Sequence, residues 1–308
     1  MENKKILTVF DGNALVHRAF HALPPLTSPK GKPVNAVYGF LLVFLKALKD
    51  LQPQYIAVTF DLPGPTFRDK IYPAYKAKRP KAPDELYEQI PLIKKVLKAL
   101  DVPIFEKQKY EADDVIATIA NKTKRQQINP EAEVFIVTGD LDSLRLVDKN
   151  TKVYALKRGL KDIMIYDEKA VKEKYNGLAP EQLTDFRALR GDPSDNIPGV
   201  TGIGEKTAIM LLKKYNDLEK IYALLENDQK LKDLPESLSE KLKNYKEQAL
   251  MSKKLAEIDE SVPLEFVLEN CKHKGLNKTK TIKIFQDMGF YSLIKRLPQS
   301  TQPRLGNF

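Results

Sequence analysis

The sequence has little sulfur and few histidines. Its 308 residues include one cysteine, Cys271, and three histidines, His17, His21 and His273. A single cysteine excludes a disulfide framework and a cysteine-based zinc site. Three histidines are too few for a typical zinc centre. The chain is therefore not a disulfide-stapled protein or a classical zinc protein.

Long apolar runs are also missing. No stretch approaches the roughly 20 residues needed to span a bilayer. The N-terminal MENKK leads directly into a short apolar segment, without the hydrophobic region of a secretory signal. With 42% hydrophobic residues, the chain can still bury a sizeable core. We expect a cytoplasmic protein, monomeric and without a membrane partner.

Basic residues outnumber acidic ones. The chain has 51 Lys and Arg against 41 Asp and Glu, a formal net charge of +10 at pH 7. This balance suits a polyanionic partner such as DNA, because each neutralised phosphate releases condensed counterions. A soluble basic protein without such a partner would have the same composition, so charge alone does not decide between them.

Three short, β-rich apolar runs each lead into an aspartate. Apolar residues at three- and four-residue spacing predict helices between them, at Val37–Leu51, Glu85–Leu100 and Asp113–Thr123. This alternation predicts an α/β fold with a mostly parallel central sheet flanked by helices. Ligands of such sheets bind at the carboxyl ends of the strands, where all three aspartates would meet. The runs and their aspartates are Ile6–Phe10 with Asp11, Tyr55–Phe60 with Asp61, and Val134–Thr138 with Asp140.

Outside the strands and helices named above, the chain contains a basic segment and a mainly helical region. Residues 63–83 are rich in Pro, Lys, Arg and Tyr without a helical period, and we interpret them as an excursion out of the domain. After Pro180 the pattern is mainly helical. We predict an α/β core over residues 1–178, a helical lobe over 179–297 and a tail over 298–308.

Nine acidic residues stand at positions that suit a functional site. Taken singly, each has a local explanation as a turn residue, a helix N-cap or an acid that meets a helix dipole. They are Asp11, Asp61, Glu111, Asp113, Asp114, Asp140, Asp142, Asp192 and Asp195.

The helix that starts near Glu111 brings further acids to the sheet edge. It follows a short predicted strand, Val102–Phe105, so its first turn points to the same edge as the strand-end aspartates. Glu111 and Asp114 share one helix face, and Asp113 is turned about 100° from its neighbours. One helical turn can therefore serve two adjacent cation positions.

Carboxylates gathered this closely cannot all stay ionised without cations, because like charges raise one another's pKa. The alternatives are protonated acids or bound metal. An all-oxygen ligand set favours Mg²⁺, for which Mn²⁺ can substitute. Two such ions about 4 Å apart would clamp the attacking and leaving oxygens of a phosphoryl displacement and activate a bound water. The acids thus predict a metal-dependent phosphodiesterase without a protein nucleophile.

Several segments in order carry a family resemblance. The chain resembles the 5′ nuclease domain of bacterial DNA polymerase I, part of the flap endonuclease family, over residues 1 to about 215. The segments are FDGNALVHRAFHALP from Phe10, VTFD ending at Asp61, AYKAKRP from Ala74, YEADDVIATIA from Tyr110, VTGDLDSLRLV from Val137 and GDPSDNIPGVTGIGEKTA from Gly191.

The resemblance implies how the acids are shared between two metal ions. The first site would use Asp11, Asp61, Glu111 and Asp113. The second would use the remaining five, in part through water: Asp114, Asp140, Asp142, Asp192 and Asp195. It also implies a PIN-like fold and cleavage near single-strand/double-strand junctions that leaves a 5′-phosphate.

The basic excursion corresponds to the family's helical arch or clamp. Within it, Tyr75, Lys76 and Arg79 match positions that handle the scissile phosphate and the displaced strand. Lys and Arg can stabilise charge on the phosphate, and Tyr can stack an unpaired base. Arg18, after Asp11, is a further candidate to face the terminal phosphate. Without the resemblance, a solvated basic loop would be an equally good interpretation of this segment.

The segment PGVTGIGEKTA resembles the hairpin of the family's helix–three-turn–helix motif, at about residues 184–215. Glycines permit turn conformations closed to other residues, and a helix start at Glu205 presents its N–H groups to a phosphate. Contact with the duplex backbone would be independent of sequence. The resemblance also implies K⁺ at the hairpin carbonyls. The predicted DNA-binding residues are Gly199, Gly202, Gly204, Lys206 and Thr207.

These features predict a structure-selective 5′→3′ exonuclease and 5′-flap endonuclease for primer and flap removal in replication and repair. Its partners would be DNA with flaps, nicks or ends, RNA-primed DNA, and a polymerase domain or polymerase. One departure is Leu141, where the family usually has a basic residue. The alternatives are a non-catalytic DNA-binding module of the same fold and, less favoured, a PIN-like RNase.

Overall fold

The computed structural model describes residues 5–125, 132–226 and 234–297. The predicted tail, 298–308, lies outside them. A six-stranded sheet has the order β3-β2-β1-β4-β5-β6, parallel except for β6, which confirms the predicted mostly parallel α/β fold. The strands are β1 (Ile6–Asp11), β2 (Tyr55–Thr59), β3 (Ile104–Phe105), β4 (Glu133–Thr138), β5 (Thr151–Leu156) and β6 (Ile163–Tyr166).

Helices cover both faces of this sheet. Three short 3₁₀ helices lie at Leu141–Leu146, Pro180–Gln182 and Leu268–Cys271. The α-helices are α1 (Gly12–Ala22), α2 (Asn35–Leu51), α3 (Phe67–Ile71), α4 (Asp84–Ala99), α5 (Ala112–Arg125), α6 (Glu168–Lys174), α7 (Leu183–Arg190), α8 (Glu205–Tyr215), α9 (Leu218–Glu226), α10 (Glu236–Asn244), α11 (Lys246–Ala256), α12 (Lys278–Asp287) and α13 (Tyr291–Ile294). The predicted strands and helices are confirmed to within a residue or two at their ends.

The central strand shows why both faces are covered. Residues of β1 alternate between two apolar cores, because successive side chains of a strand point to opposite faces. Val9 packs with Val115 of α5 and with the lobe helices, whereas Phe10 packs with Phe44 of α2. No face of β1 meets water, which explains its continuous apolar sequence.

The last helices return to the α/β core. Phe285 and Leu293, from α12 and α13, belong to the same apolar cluster as α1, α2 and α4. The N–H of His273 donates to the carbonyl of Gln54 at 2.7 Å, which ties this return to the start of β2. The end of the predicted lobe is therefore part of the core in space.

None of the helices in the described part of the chain combines the length and the apolar character needed to cross a membrane.

A glycine lets α1 and α2 approach each other closely. A Cβ built on Gly39 would lie 2.6 Å from the Cβ of Ala19 and 3.0 Å from side-chain atoms of Leu23 and Leu160. These distances leave no room for a methyl group. The backbone of α2 is therefore held against α1 at this point.

Replacing Gly39 with Ala is expected to lower the free energy of unfolding by about 1–3 kcal/mol, because overpacking exceeds the roughly 1 kcal/mol that Ala gains over Gly in a helix. The matched control is Gly204→Ala, whose Cβ would meet nothing within 4 Å and which is expected to cost less than about 1 kcal/mol, since Gly204 is an N-cap, where Gly is preferred to Ala. Urea unfolding of both variants measures the difference. Equal stabilities would contradict the close approach.

Candidate active site

The parallel strands bring their aspartates to one edge of the sheet. Asp11 pairs with Thr59 at the end of β2, and Phe10 pairs with Val137 near the end of β4, so the three strand ends are level. Beyond this edge lies a cavity of about 810 Å³. The acids on its wall are Asp11, Asp61, Glu111, Asp113, Asp140, Asp142 and Asp195.

A threonine couples the ends of β1 and β4. One oxygen of Asp11 caps α1 by accepting from the N–H of Ala14 at 3.0 Å, and the other accepts from the hydroxyl of Thr138 at 2.7 Å. The N–H of Asp140 donates to the same hydroxyl at 2.9 Å. Thr138 therefore fixes the relative placement of two candidate metal ligands.

Local hydrogen bonds also orient the other strand-end aspartates. The N–H of Ala112, at the start of α5, donates to Asp61 at 2.6 Å. Asp140 accepts from the N–H of Asp142 at 2.9 Å and caps the 3₁₀ turn that follows. Asp61 and Asp140 therefore accept hydrogen bonds from nearby backbone N–H groups and also lie on the cavity wall.

Basic side chains stand among these acids. Lys76 contacts Glu111 at 2.8 Å, and Arg145 lies 3.9 Å from Asp113. Each pairing neutralises a carboxylate on the cavity wall. The others are Arg79 with Asp195 and Arg187 with Asp142.

These pairings keep the acids apart. Within residues 5–125, 132–226 and 234–297, no three His, Cys, Asp or Glu side chains converge as placed around one point that could hold a metal ion. The donor chemistry still fits hard divalent cations, because the wall presents carboxylate oxygens and no thiol. Chelation would therefore require carboxylates to exchange basic partners for an ion.

The crowding of negative charge appears in the pKa values. Burial and the charge of Asp113 raise the pKa of Asp11 well above its ordinary value. Burial and Asp140 raise the pKa of Asp113 to about 6. Burial, with the charge of Asp195, likewise raises the pKa of Asp140. These carboxyls are destabilised as anions, as the sequence argument requires of a cation site.

Asp114 does not line the cavity, which argues against its predicted role as a ligand. Its side chain is fully buried. Both of its oxygens accept from the guanidinium of Arg68 at 2.8 Å, and they also accept from the N–H groups of Glu111 and Asp259 at 3.0 and 2.9 Å. With both oxygens engaged in these contacts, Asp114 has no free lone pair directed at the cavity.

Asp192 lies outside the cavity wall as well. Its carboxylate accepts from the N–H and hydroxyl of Ser194 at 2.9 and 2.6 Å, and it lies 3.8 Å from Arg187. Although burial raises its pKa, these hydrogen bonds and the arginine lower it overall. Arg187 also contacts Asp142, which lines the cavity. The guanidinium therefore lies between Asp142 and Asp192, and Asp192 lies behind the cavity wall.

The segment 63–83 is folded against the site and does not leave the domain, which corrects the predicted excursion. Its helix is the short α3, and the next residues form turns along one side of the cavity. Tyr75 is 6% exposed, and its hydroxyl donates to Asp195 at 3.2 Å. The predicted stacking of Tyr75 on a base is not possible while the ring is buried in this way.

Lys76 and Arg79 are partly or largely exposed, and the exposed Lys78 lines the cavity between them. Lys76 is placed by a left-handed backbone conformation with φ +56°, and its N–H donates to the carbonyl of Asp195 at 2.9 Å. The Arg79 side chain is 47% exposed while it contacts Asp195. Both line the cavity.

Helix α1 supplies a further part of the cavity wall. Arg18 lines the cavity and donates to the carbonyls of Gly139 and Lys157 at 3.0 and 3.2 Å. His17 and His21, on the same helix, line it too. Burial and the nearby charges of His21 and Arg79 lower the pKa of His17, so it is neutral near pH 7.

The hairpin before α8 has the predicted turn. Gly199 and Gly202 have φ +63° and +83°, and a Cβ on Gly199 would lie 2.2 Å from the backbone nitrogen of Gly191. Gly204 differs from the prediction: it is the extended N-cap of α8 at φ −94° and needs no special conformation. Lys206 is exposed at the helix start, with Thr207 partly exposed beside it.

Family models cover nearly the whole described chain. Residues 6–176 match the model for the 5′–3′ exonuclease N-terminal, resolvase-like domain, and residues 178–279 match that for the 5′–3′ exonuclease C-terminal SAM fold. The chain belongs to the 5′–3′ exonuclease family. The predicted family resemblance is confirmed.

Relatives in this family are of two lengths. The chain is 42% identical over 301 residues to DNA polymerase I of Bacillus subtilis, matching 98% of this chain and 33% of the polymerase. It is 39% identical over 293 residues to a 5′–3′ exonuclease of Aquifex aeolicus, matching 95% of each. The chain thus spans about a third of the polymerase relatives and almost all of the shorter one.

A solved member of the exonuclease fold agrees in architecture. The D15 flap endonuclease of bacteriophage T5, in a pseudo-enzyme–product complex with DNA and metal ions, superposes with a TM-score of 0.67 at 19% identity. The match covers 92% of this chain and all of that one. At this identity the likeness establishes the shared fold.

The sequence analysis of this family member missed three arginines and a threonine. Arg68, Arg145 and Arg187 face Asp114, Asp113 and Asp142, and Thr138 bridges two strand ends. Acids brought together without metal need compensating positive charge, so the requirement for nearby cations was available from the sequence. Which arginines meet it depends on tertiary packing.

The raised pKa of Asp113 predicts how stability without metal depends on pH. A carboxyl with a higher pKa in the folded chain binds more protons when folded, so its anion destabilises the fold as the pH rises through about 6. Asp113→Asn, which mimics the protonated acid, should therefore raise the thermal midpoint in EDTA at pH 8, raise it less at pH 5, and have little effect only below the ordinary carboxyl pKa of 3.8, where Asp113 is protonated in both the folded and the unfolded chain.

The variant difference is the quantity to measure, because His17 and His273 have lowered pKa values and also titrate below pH 7. Taking Asp113→Asn minus wild type at each pH cancels their contribution. A difference that is equal at pH 5 and pH 8 would contradict the raised pKa of Asp113.

Proposed function

We propose that the chain is a structure-selective 5′→3′ exonuclease and 5′-flap endonuclease that hydrolyses DNA phosphodiesters with two divalent cations. One observation carries the proposal: seven carboxylates from separate segments line a single cavity at the carboxyl edge of the sheet. Membership of the exonuclease family supports it. Primer and flap removal would be the corresponding role in replication and repair.

The cavity wall offers two groups of ligands. Asp11, Asp61, Glu111 and Asp113 would hold one ion. Asp140, Asp142 and Asp195 would hold the second, with Asp192 acting through water or Arg187. When bound, Mg²⁺ or Mn²⁺ supplies charge neutralisation at the scissile phosphate and a water of lowered pKa.

The basic side chains of the wall would then change partners. Lys76 and Arg79 pair with Glu111 and Asp195 and are the more exposed members of their pairs. Once cations neutralise those acids, both side chains are free to contact a phosphate that enters the cavity, where they stabilise its developing charge. Arg18, which also lines the cavity, would face the terminal phosphate of the strand.

Duplex DNA would be held outside the cavity by the hairpin and α8. Gly202, Gly204 and Lys206 are exposed there, so backbone N–H groups and a lysine face solvent at a helix N-terminus. Lys213 and Lys214 continue this basic surface along α8. A monovalent cation such as K⁺ at the hairpin carbonyls, RNA-primed substrates and a polymerase partner remain predictions.

Substituting Asp140 with Ala tests the metal chemistry. Cleavage of a labelled 5′-flap substrate in Mg²⁺ is expected to fall by roughly 10³-fold. The variant lacks a proposed metal ligand that lies between strand β4 and the 3₁₀ turn it caps. Binding of the flap should change little, since α8 and the hairpin are untouched. Gel-based cleavage and binding assays measure both.

The matched control is Asp167→Ala, which removes an aspartate that caps α6 through Ala170 at 2.8 Å, away from the cavity. It is expected to lower stability by about 1 kcal/mol and to leave cleavage unchanged. Retained turnover in Asp140→Ala would refute the metal assignment. Binding without cutting by the wild type would favour the non-catalytic DNA-binding alternative.

Replacing Lys206 with Met tests the duplex contact. A lysine that meets a phosphate contributes about one unit to the slope of log affinity against log salt concentration, so the slope should become shallower by roughly that amount. The control is Lys169→Met on α6, whose side chain is 86% exposed and far from the hairpin in sequence. Equal slopes for both variants would place the duplex elsewhere.

A further inference from the structure

A buried ion pair behind the cavity is not explained by a metal site. Arg68 is 1% exposed and Asp114 is fully buried. The guanidinium donates to both carboxylate oxygens at 2.8 Å, in the parallel two-bond geometry that makes such pairs strong and directional. Burying two charges this completely requires that nearly all their hydrogen-bonding groups be satisfied.

The remaining donors of Arg68 reach the end of α11. Its Nε donates to the carbonyl of Leu255 at 3.0 Å, and Nη2 donates to the carbonyl of Glu257 at 2.5 Å. Arg145 donates to the carbonyl between them, that of Ala256. Carbonyls at a helix C-terminus lack partners within the helix and carry partial negative charge, so two arginines complete this end.

The remaining acceptors of Asp114 reach the start of α5. One oxygen accepts from the N–H of Glu111 at 3.0 Å, and the other accepts from the N–H of Asp259 beyond α11. Glu111 and Asp113, which flank this contact, line the cavity. The pair therefore lies directly beneath the turn that carries two candidate ligands.

Helix α11 continues the connection to the hairpin. The hydroxyl of Ser252 accepts from the N–H of Gly199 at 3.1 Å, and the side-chain amide of Gln248 donates to the Gly199 carbonyl at 2.6 Å. Lys253 contacts Asp185 of α7 at 2.7 Å. Helix α11 therefore contacts the hairpin before α8 through its central residues and the Arg68–Asp114 pair through its C-terminal end.

We propose that Asp114 is not a metal ligand and that Arg68 and Asp114 form a buried joint which positions the Glu111–Asp113 turn against the end of α11. Both are positioning residues, because neither reaches the cavity. The joint holds the acids of α5 in fixed relation to the hairpin on which duplex DNA would dock. This inference rests on the proposed function only where catalysis is concerned.

Thermal unfolding without metal distinguishes a buried joint from a metal ligand, because the two roles predict opposite changes in the thermal midpoint. In EDTA at pH 8, Asp114→Asn removes the carboxylate that makes both short contacts with Arg68 and leaves only Glu111, 3.6 Å away, as a counter-charge, so the thermal midpoint should fall by about 5–10 °C. Asp113→Asn, in the same helical turn, removes a charge from the crowded wall and should raise the midpoint. A rise for Asp114→Asn, or no change, would overturn the joint.

A double-mutant cycle tests whether the two residues act as one unit. Arg68→Met and Asp114→Asn should each lower kcat for flap cleavage about ten-fold or more, and the double variant should be no worse than the poorer single variant. KM should change less than about three-fold, since the hairpin surface is intact. Losses that multiply in the double variant would show that Asp114 has a role independent of Arg68 and would overturn the proposal.

Rates are compared per folded molecule, well below each variant's midpoint, so that loss of stability alone leaves kcat unchanged. Arg68→Lys keeps the charge but not the forked geometry, and should rescue little. Lys124→Met, which removes an ion pair with Asp148 at the other end of α5, is the control expected to keep kcat and the midpoint. Wild-type kcat in the Arg68→Met variant would also overturn the joint.

Flap cleavage and metal-free unfolding test different claims. If the wild type cuts no flap, the proposed function fails, and the metal-free unfolding comparison still decides whether Arg68 and Asp114 form the joint. If the wild type cuts but Asp114→Asn has a midpoint at or above that of the wild type, the function stands and the joint does not.

Discussion

Mutual repulsion among carboxylates at the end of a parallel sheet is the constraint on which the rest of this structure depends. Three strand ends and the first turn of α5 direct negative charge into one cavity, and burial strengthens the repulsion. The cations that pair with these acids can be understood as a response to it. Arginine side chains usually remain in contact with water. Here three of them are largely buried and face Asp113, Asp114 and Asp142.

The origin of these cations links parts of the chain that are distant in sequence. Arg68 comes from the segment before α4, Arg145 from the turn after β4, and Arg187 from α7. These ion pairs therefore fasten the segment 63–83 and the helical lobe to the sheet. The two family models meet at residues 176 and 178, yet the contacts of Arg68 and Arg145 with the end of α11 cross that boundary.

Sequence reasoning succeeded where a local pattern has a single spatial outcome. A buried parallel strand places its last residue at a known edge, so Asp11, Asp61 and Asp140 could be brought together without coordinates. It did not identify β5 and β6, which no motif marked. It also assigned Asp114 to the metal site, because helical spacing shows which face a side chain shares but not that Arg68 already occupies that face. Partner choice between buried charges is a property of tertiary packing.

The short helix α3 limits how far its neighbours can move. Thr66 and Asp69 form a capping box at its start, and Arg68 is locked by four hydrogen bonds to Asp114 and the end of α11. Beyond Tyr72, contacts to the rest of the protein come mainly from Tyr75 to Arg79 and involve the cavity acids. Any displacement of the segment between Tyr72 and α4 would therefore pivot after α3, and its reach would be set by the length of chain between that pivot and α4.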